Sequence, residues 1–192
     1  MELQAALGGD DYYKQLEKVL AQPKSRHQWE ELVVNAPFSN PKATALLGLG
    51  IVVLLLVNKK GRTIDRIAVA NTEMTMGTFA MTAKPFREIK IPLGYHHNFI
   101  ARAIKENHYM ITSDWQYLFN PSLTPEQARF NQAGGGIACS VVYPLPHILD
   151  GGAMIFSYYE ALGRISAGHH NFMTRYVSLV QKSFNRLPAH QA

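Results

Sequence analysis

The period of the apolar positions changes several times along the chain, and each change marks an element. Tyr12, Leu16, Val19 and Leu20 recur at i, i+4, i+7 and i+8, which predicts a helix with Asp10 in place to cap it. Pro23 interrupts that helix, and Ser25 opens a second one as a capping box with Gln28, leading into "WEELVV". Asn40-Pro41 predicts an N-cap followed by an N1 proline, starting a short helix that stops near Gly48 to Gly50. From Ile51 the pattern becomes a β-branched run, "IVVLLLV", then a polar turn, "NKKG", then "RTIDRIAVA" with apolar residues at Ile64, Ile67 and Val69, which predicts a hairpin. "NTEMTMGTFAMTAKP", Asn71 to Pro85, has no clear period and is expected to be a loop or short helical segment.

The second half repeats the alternation of types. "FREIKIPL" predicts a strand ended by Pro92, and Phe99, Ile100, Ala103 and Ile104 then share one helical face that Asn107 can close. "HYMITSDW" predicts a strand running into Asp114, and Thr124, Pro125 and Gln127 form the signature of a helix start. Two further strands, "GIACSVVYPLP" and "GGAMIFSYYE", predict a second hairpin. The last element carries Phe172, Met173, Tyr176, Val177, Val180, Phe184 and Leu187 on one stripe until Pro188. This stripe is expected to be exposed and to form a dimer surface. Hairpins imply a largely antiparallel sheet, and the helices must cover its faces, an α+β arrangement.

Composition narrows the class without naming it. The chain has 192 residues, 47% hydrophobic and 17% charged, enough for one domain with a real core. The net charge of +5 is scattered: the densest basic groups, Lys59-Lys60-Arg62 and Lys84-Arg87-Lys90, hold three charges each. A solvated surface fits that pattern better than a nucleic-acid footprint, which clusters on one face. Cys139 is the single cysteine, so an intramolecular disulfide is excluded and a reducing, cytoplasmic setting is the simplest. "MELQAALGGDDYY" lacks a basic stretch followed by a long apolar core, so no signal peptide is expected. Ala43 to Val57 is a run without a charge, but it is shorter than the ~20 residues a spanning helix needs. A short helix feeding a buried strand explains it, and no membrane partner is expected.

Catalytic and metal signatures are sparse. His96-His97 and His169-His170 are adjacent pairs, pointing about 100° apart on a helix, whereas metal pairs favour i, i+4. Capping or surface roles are expected for them. Ser140 and Ser157 lie in strands with no Gly-x-Ser-x-Gly elbow, and the glycines at 134–136 lack the lysine of a phosphate loop. No catalytic residue is assigned.

Order and spacing carry a resemblance. "IKIPLGYHHNFIARAIKENHYMITSDW" resembles the centre of a GAF domain, where a strand passes through a glycine turn into a helix and a further strand ends in Asp. "IACSVVYPLPHILDGGAMIFSYYE" resembles that family's closing hairpin, and "IVVLLLVNKKGRTIDRIAVAN" its first hairpin. The resemblance spans Asn40 to Val180. It implies a mostly antiparallel sheet of about six strands, with N- and C-terminal helices on one face. The corresponding division is an N-terminal helical segment 1–39, a GAF-like domain 40–187 including its C-terminal helix, and a tail 188–192.

The resemblance also implies a function: a non-enzymatic sensory or regulatory module in signal transduction. Such a module binds a small molecule and relays its state through terminal helices, often as a homodimer, to an output domain or partner. Fold alone does not choose the ligand, and the cofactor stays unassigned. By matched position, the pocket lining comprises Phe86, Ile89, His97 and Ile100, followed by Asp114, Trp115, Phe130 and Tyr143. The same residues serve equally as core filling, and Asp114 as a turn cap. A structural dimerisation module without ligand is the competing reading. Bilin attachment and methionine sulfoxide reduction, known in GAF domains, need cysteine chemistry for which one strand cysteine is a poor match. The Asn-Lys-Phe-Asp-Glu signature of cyclic-nucleotide binders is absent. If haem binds, His96, His97 or His108 is the first axial candidate.

Overall fold

The structure is a computed structural model that describes residues 3, 9–73, 75–76, 82 and 84–187, with Phe86 described by its backbone alone. The irregular 71–85 segment falls only partly among these residues. The expected 188–192 tail falls outside them, as does most of the stretch read for a signal peptide.

Seven helices are described: α1 (Asp10–Leu20), α2 (Arg26–Asn35), α3 (Pro41–Leu47), α4 (Phe99–Glu106), α5 (Gln116–Phe119), α6 (Pro125–Gly134) and α7 (Ala167–Phe184). Six strands join them: β1 (Leu49–Asn58), β2 (Thr63–Val69), β3 (Lys90–Pro92), β4 (Met110–Thr112), β5 (Cys139–Pro144) and β6 (Gly152–Tyr158). They form one sheet in the order β3-β2-β1-β6-β5-β4, antiparallel at every pair. The two hairpins predicted from sequence lie side by side at its centre, β1 against β6.

Several local devices act as their residues dictate. Asn40 caps α3 through Ala43 N–H, and Gly48 ends the helix in the left-handed region at φ 58°, so the chain can turn at once into β1. Thr124 and Gln127 complete a capping box on α6. At Gly152, where β6 lies against β1, a Cβ would collide with the Leu55 carbonyl, so glycine is required for the close approach. Two expectations are corrected. α1 begins after Gly9 without a side-chain cap, and Asp10 instead pairs with Arg175 on α7 at 2.8 Å. "FREIKIPL" is a 3-10 turn, Phe86–Glu88, and a three-residue edge strand, because β3 finds partners only at Thr63 to Asp65.

β1 is buried on both faces, which is why it reads as an uninterrupted apolar run. Val52, Leu54 and Leu56 point to a core shared with α1, α2 and α7, whereas Ile51, Val53 and Leu55 point to a second core beneath α4, α5 and α6. β6 alternates likewise, Met154, Phe156 and Tyr158 against Ala153 and Ile155. The first and last helices therefore lie together on one face of the sheet. Arg175 and Lys182 of α7 reach Asp10 and Glu17 of α1. The apolar stripe of α7 is buried within its own chain, against that core, so it is not the exposed dimer surface expected of it. No described helix is long and apolar enough to cross a membrane.

Candidate functional site

Beneath α5 and α6 the second core is incompletely filled. Ile51, Val53, Trp115, Phe119, Leu123 and Ile155 enclose a cavity of about 20 Å³, which accepts an occupant of water to small-ion size and falls far short of the ~300 Å³ typical of a drug-sized site. Its polar wall is Arg66, Thr82, Asn131 and Ser157.

Strand alternation delivers the polar groups. Arg66 follows Ile64 on the same face of β2, its guanidinium carbon 5.1 Å from the Phe119 ring centre, a cation–π contact. The residue is 9% exposed. Burial pushes its pKa down to about 9, still above neutrality, so it remains a cation. Ser140 on β5 and Ser157 on β6 are direct cross-strand partners. Trp115 donates its indole N–H to Ser140 Oγ at 2.8 Å, and Ser140 Oγ lies 2.8 Å from Ser157 Oγ. Asn131, on α6, is 5% exposed, and its Oδ1 is buried with no hydrogen-bond partner. Beside it, Gln132 ties α6 to the loop after β4 by accepting from Trp115 N–H and donating to the Ser113 and Ile137 carbonyls. Asn98 caps α4 through Ile100 and Ala101 N–H while its amide donates to the Leu118 and Asn120 carbonyls, locking α4 against α5.

Of the eight residues placed in the pocket by matched position, Trp115 lines this cavity. Ile89 and Ile100 are fully buried in the same core but fill it rather than face the space. Asp114 accepts from Gln116 N–H at 2.9 Å and pairs with Arg129 at 2.9 Å, so it caps a turn and faces away from the cavity. His97 is exposed, with its ring against Tyr95. Phe130 is 56% exposed, on the outer side of α6. Tyr143 is on the opposite face of the sheet, because it alternates with Val142; there its hydroxyl meets His170 Nδ1 at 3.2 Å. The Phe86 side chain lies outside the described residues. Sequence reasoning missed Arg66, Asn131 and Ser157. The signal for Arg66 was a charge in phase with Ile64 in a period-2 run, and for the serines their matched positions in a predicted hairpin.

Cofactor chemistry finds few donors here. Cys139 faces the terminal helices, not the cavity; its thiol donates to the Glu160 carbonyl at 3.3 Å, and burial pushes its pKa up to about 11. His96, His97 and His108 are exposed, and no cluster of three metal-ligating side chains occurs among the described residues.

No family model matches the sequence, and no curated protein matches it. Solved structures do. The GAF domain of an Acinetobacter phosphoenolpyruvate-protein phosphotransferase superposes with a TM-score of 0.60 at 7% identity, covering 91% of each chain. A methyl-accepting chemotaxis protein, residues 122 to 287, gives 0.58 at 11% identity over 90% of this chain and 96% of that one. The free methionine-R-sulfoxide reductase of Neisseria meningitidis, in complex with its substrate, gives 0.56 at 13% identity over 91% and 88%. The chain has the GAF domain fold.

Proposed function

We propose that the protein is a non-enzymatic sensory or regulatory GAF-like domain that binds a small molecule in the cavity beneath α5 and α6 and relays its state through α1 and α7. One observation carries this reading: a cavity whose wall holds the buried amide oxygen of Asn131 with no hydrogen-bond partner, an arrangement that costs stability unless an occupant donates to it. The relay follows from alternation. β1 and β6 touch the cavity with one face and α7 with the other, so a ligand that prefers one packing of the sheet biases the helices beyond it. The methyl-accepting chemotaxis protein among the similar structures favours a signalling role, and a cytoplasmic setting suits the single thiol. The thiol chemistry of a sulfoxide reductase is disfavoured, because Cys139 is across the sheet from the cavity.

A homodimer through the terminal helices would use their polar outer faces, where Lys14 and Lys18 of α1 and Ser178 and Lys182 of α7 are exposed. Sedimentation at tens of micromolar tests it, and a monomer alone sinks it. A second reading, a module with no ligand, is favoured by the cavity's small volume. Native mass spectrometry of protein from its own host separates the two. A retained small molecule, with hydrogen exchange slowed in α7 relative to stripped protein, supports the sensor; bare protein with no thermal response to a metabolite panel supports the module.

A further inference from the structure

One acceptor in the cavity wall has no donor. Asn131 is 5% exposed, and its Oδ1 is buried without a hydrogen-bond partner. Arg66 and Thr82, on the same wall, have interactions of their own, the contact with the Phe119 ring among those of Arg66. The serine pair offers a donor. An indole nitrogen can only donate, so Trp115 fills one acceptor site on Ser140 Oγ. The two serine hydroxyls carry two protons and share one hydrogen bond. When Ser140 donates to Ser157, the second proton is on Ser157, which lines the cavity. The space therefore lies between a group that needs a donor and a group that can supply one.

The structure assigns this space to one ordered water, which donates to Asn131 Oδ1 and accepts from the Ser157 hydroxyl. A volume of about 20 Å³ clears the ~10–15 Å³ that a single water needs, and a buried water takes two to four polar partners. Chemistry excludes other occupants of this size. A halide accepts from Ser157 but cannot donate to the amide oxygen. A sodium or ammonium ion suits both oxygens, but it would lie beside the buried Arg66 cation, where low polarity strengthens the repulsion. Water meets both groups and adds no charge.

The water also closes a circuit. Trp115 reaches α6 through its backbone N–H, which Gln132 Oε1 accepts. It reaches α6 again through its indole, by way of Ser140, Ser157 and the water, at Asn131, the residue before Gln132. The water thereby joins α6 to β5 and β6. Immobilising it costs entropy, and that cost is returned when an apolar side chain replaces the amide. The assignment stands independently of the sensor reading; a ligand in this cavity has to displace the water.

A high-resolution crystal structure of the full chain is expected to show one ordered water within about 2.6–3.2 Å of Asn131 Oδ1 and Ser157 Oγ. Bromide and rubidium soaks test for an ion, and neither should give an anomalous peak there. In solution, oxygen-17 relaxation dispersion counts long-lived internal waters, and Asn131→Leu should hold about one fewer than the parent. The indole N–H resonance of Trp29, which lies in the other core on Ser183 Oγ, should stay in place and verifies that the variant is folded. An empty cavity, an anomalous peak, or an unchanged count in folded Asn131→Leu each overturns the water. The sensor reading fails separately. A multi-atom ligand found in the cavity sinks the water and keeps the sensor, whereas the water in place with no response to a metabolite panel keeps the water and sinks the sensor.

Discussion

Trp29 and Trp115 occupy equivalent situations on opposite faces of the sheet, and their hydrogen bonds end differently. Trp29 is fully buried; its indole donates to Ser183 Oγ at 2.8 Å, and that hydroxyl donates to the Val180 carbonyl at 2.8 Å. The chain of donors is closed by a backbone acceptor. Trp115 begins the same sequence with Ser140 and Ser157, but it runs out at a cavity. The face beneath the terminal helices is filled with rings: Phe156 meets Phe172 and Tyr176 edge-on, and Phe172 stacks on Tyr176, while the Tyr13 and Tyr158 hydroxyls are buried there without hydrogen-bond partners. The face beneath α5 and α6 keeps a cavity with the unpartnered amide oxygen of Asn131 in its wall. One face is filled by interlocking rings, while the other keeps a small space beside polar groups.

If this contrast is right, the largest losses come from the ring-filled face. Phe156→Ala removes a fully buried ring at the junction of β6 and α7. It should cost about 3–5 kcal/mol in chemical denaturation, because the surrounding rings cannot collapse into the space. A cost below about 1 kcal/mol would show that this face is loosely packed and remove one side of the comparison. The next effect lies at the frame of the cavity face. Asn98 is fully buried and serves four backbone groups, two N–H of α4 and the Leu118 and Asn120 carbonyls. Asn98→Ala should lose about 2–3 kcal/mol, and Asn98→Asp should lose at least as much, because it keeps the acceptor but turns a carboxylate oxygen toward the Leu118 and Asn120 carbonyls.

These positions also show what could be read ahead of the structure. The hairpins, the caps at Asn40 and Thr124 and the order of elements were legible, because each depends on residues adjacent in sequence. The cavity was not. Arg66, Asn131 and Ser157 come from β2, α6 and β6, and no local pattern states that these meet. Simple alternation puts Tyr143 across the sheet from the cavity, since Cys139, Val141 and Tyr143 share the face away from Ser140 and Val142. The stripe on α7 was read correctly as a stripe and wrongly as exposed, because its covering elements, α1 and α2, lie more than a hundred residues earlier.

A gain sharpens the comparison further. Asn131→Leu replaces a buried amide whose oxygen has no partner with an apolar side chain of similar size in a helix interior. It should raise stability by about 1 kcal/mol, read as a higher Tm. A destabilised variant would mean that the amide is satisfied and the cavity face is not under strain.

The smallest effect tests a titratable group on the ring-filled face. His169 Nδ1 accepts from Ser166 N–H at 3.1 Å, which requires that nitrogen unprotonated, and Nε2 is then the donor to the Leu47 carbonyl at 3.2 Å. Burial lowers its pKa below 6.5 and His170 adds to this, while the Leu47 carbonyl and Glu160 pull the other way; Tyr158 meets the ring edge-on. The unfolded chain therefore takes a proton on His169 before the folded one does. Its contribution is fully present above about pH 6.5 and is lost as pH falls from there through the lowered value. His169→Gln keeps an acceptor at the third position of the cap and removes the titration. The Tm of the variant should fall less steeply than the parent's between neutrality and mild acid. Parallel slopes would mean that protonation at His169 is not coupled to the junction of α3 and α7.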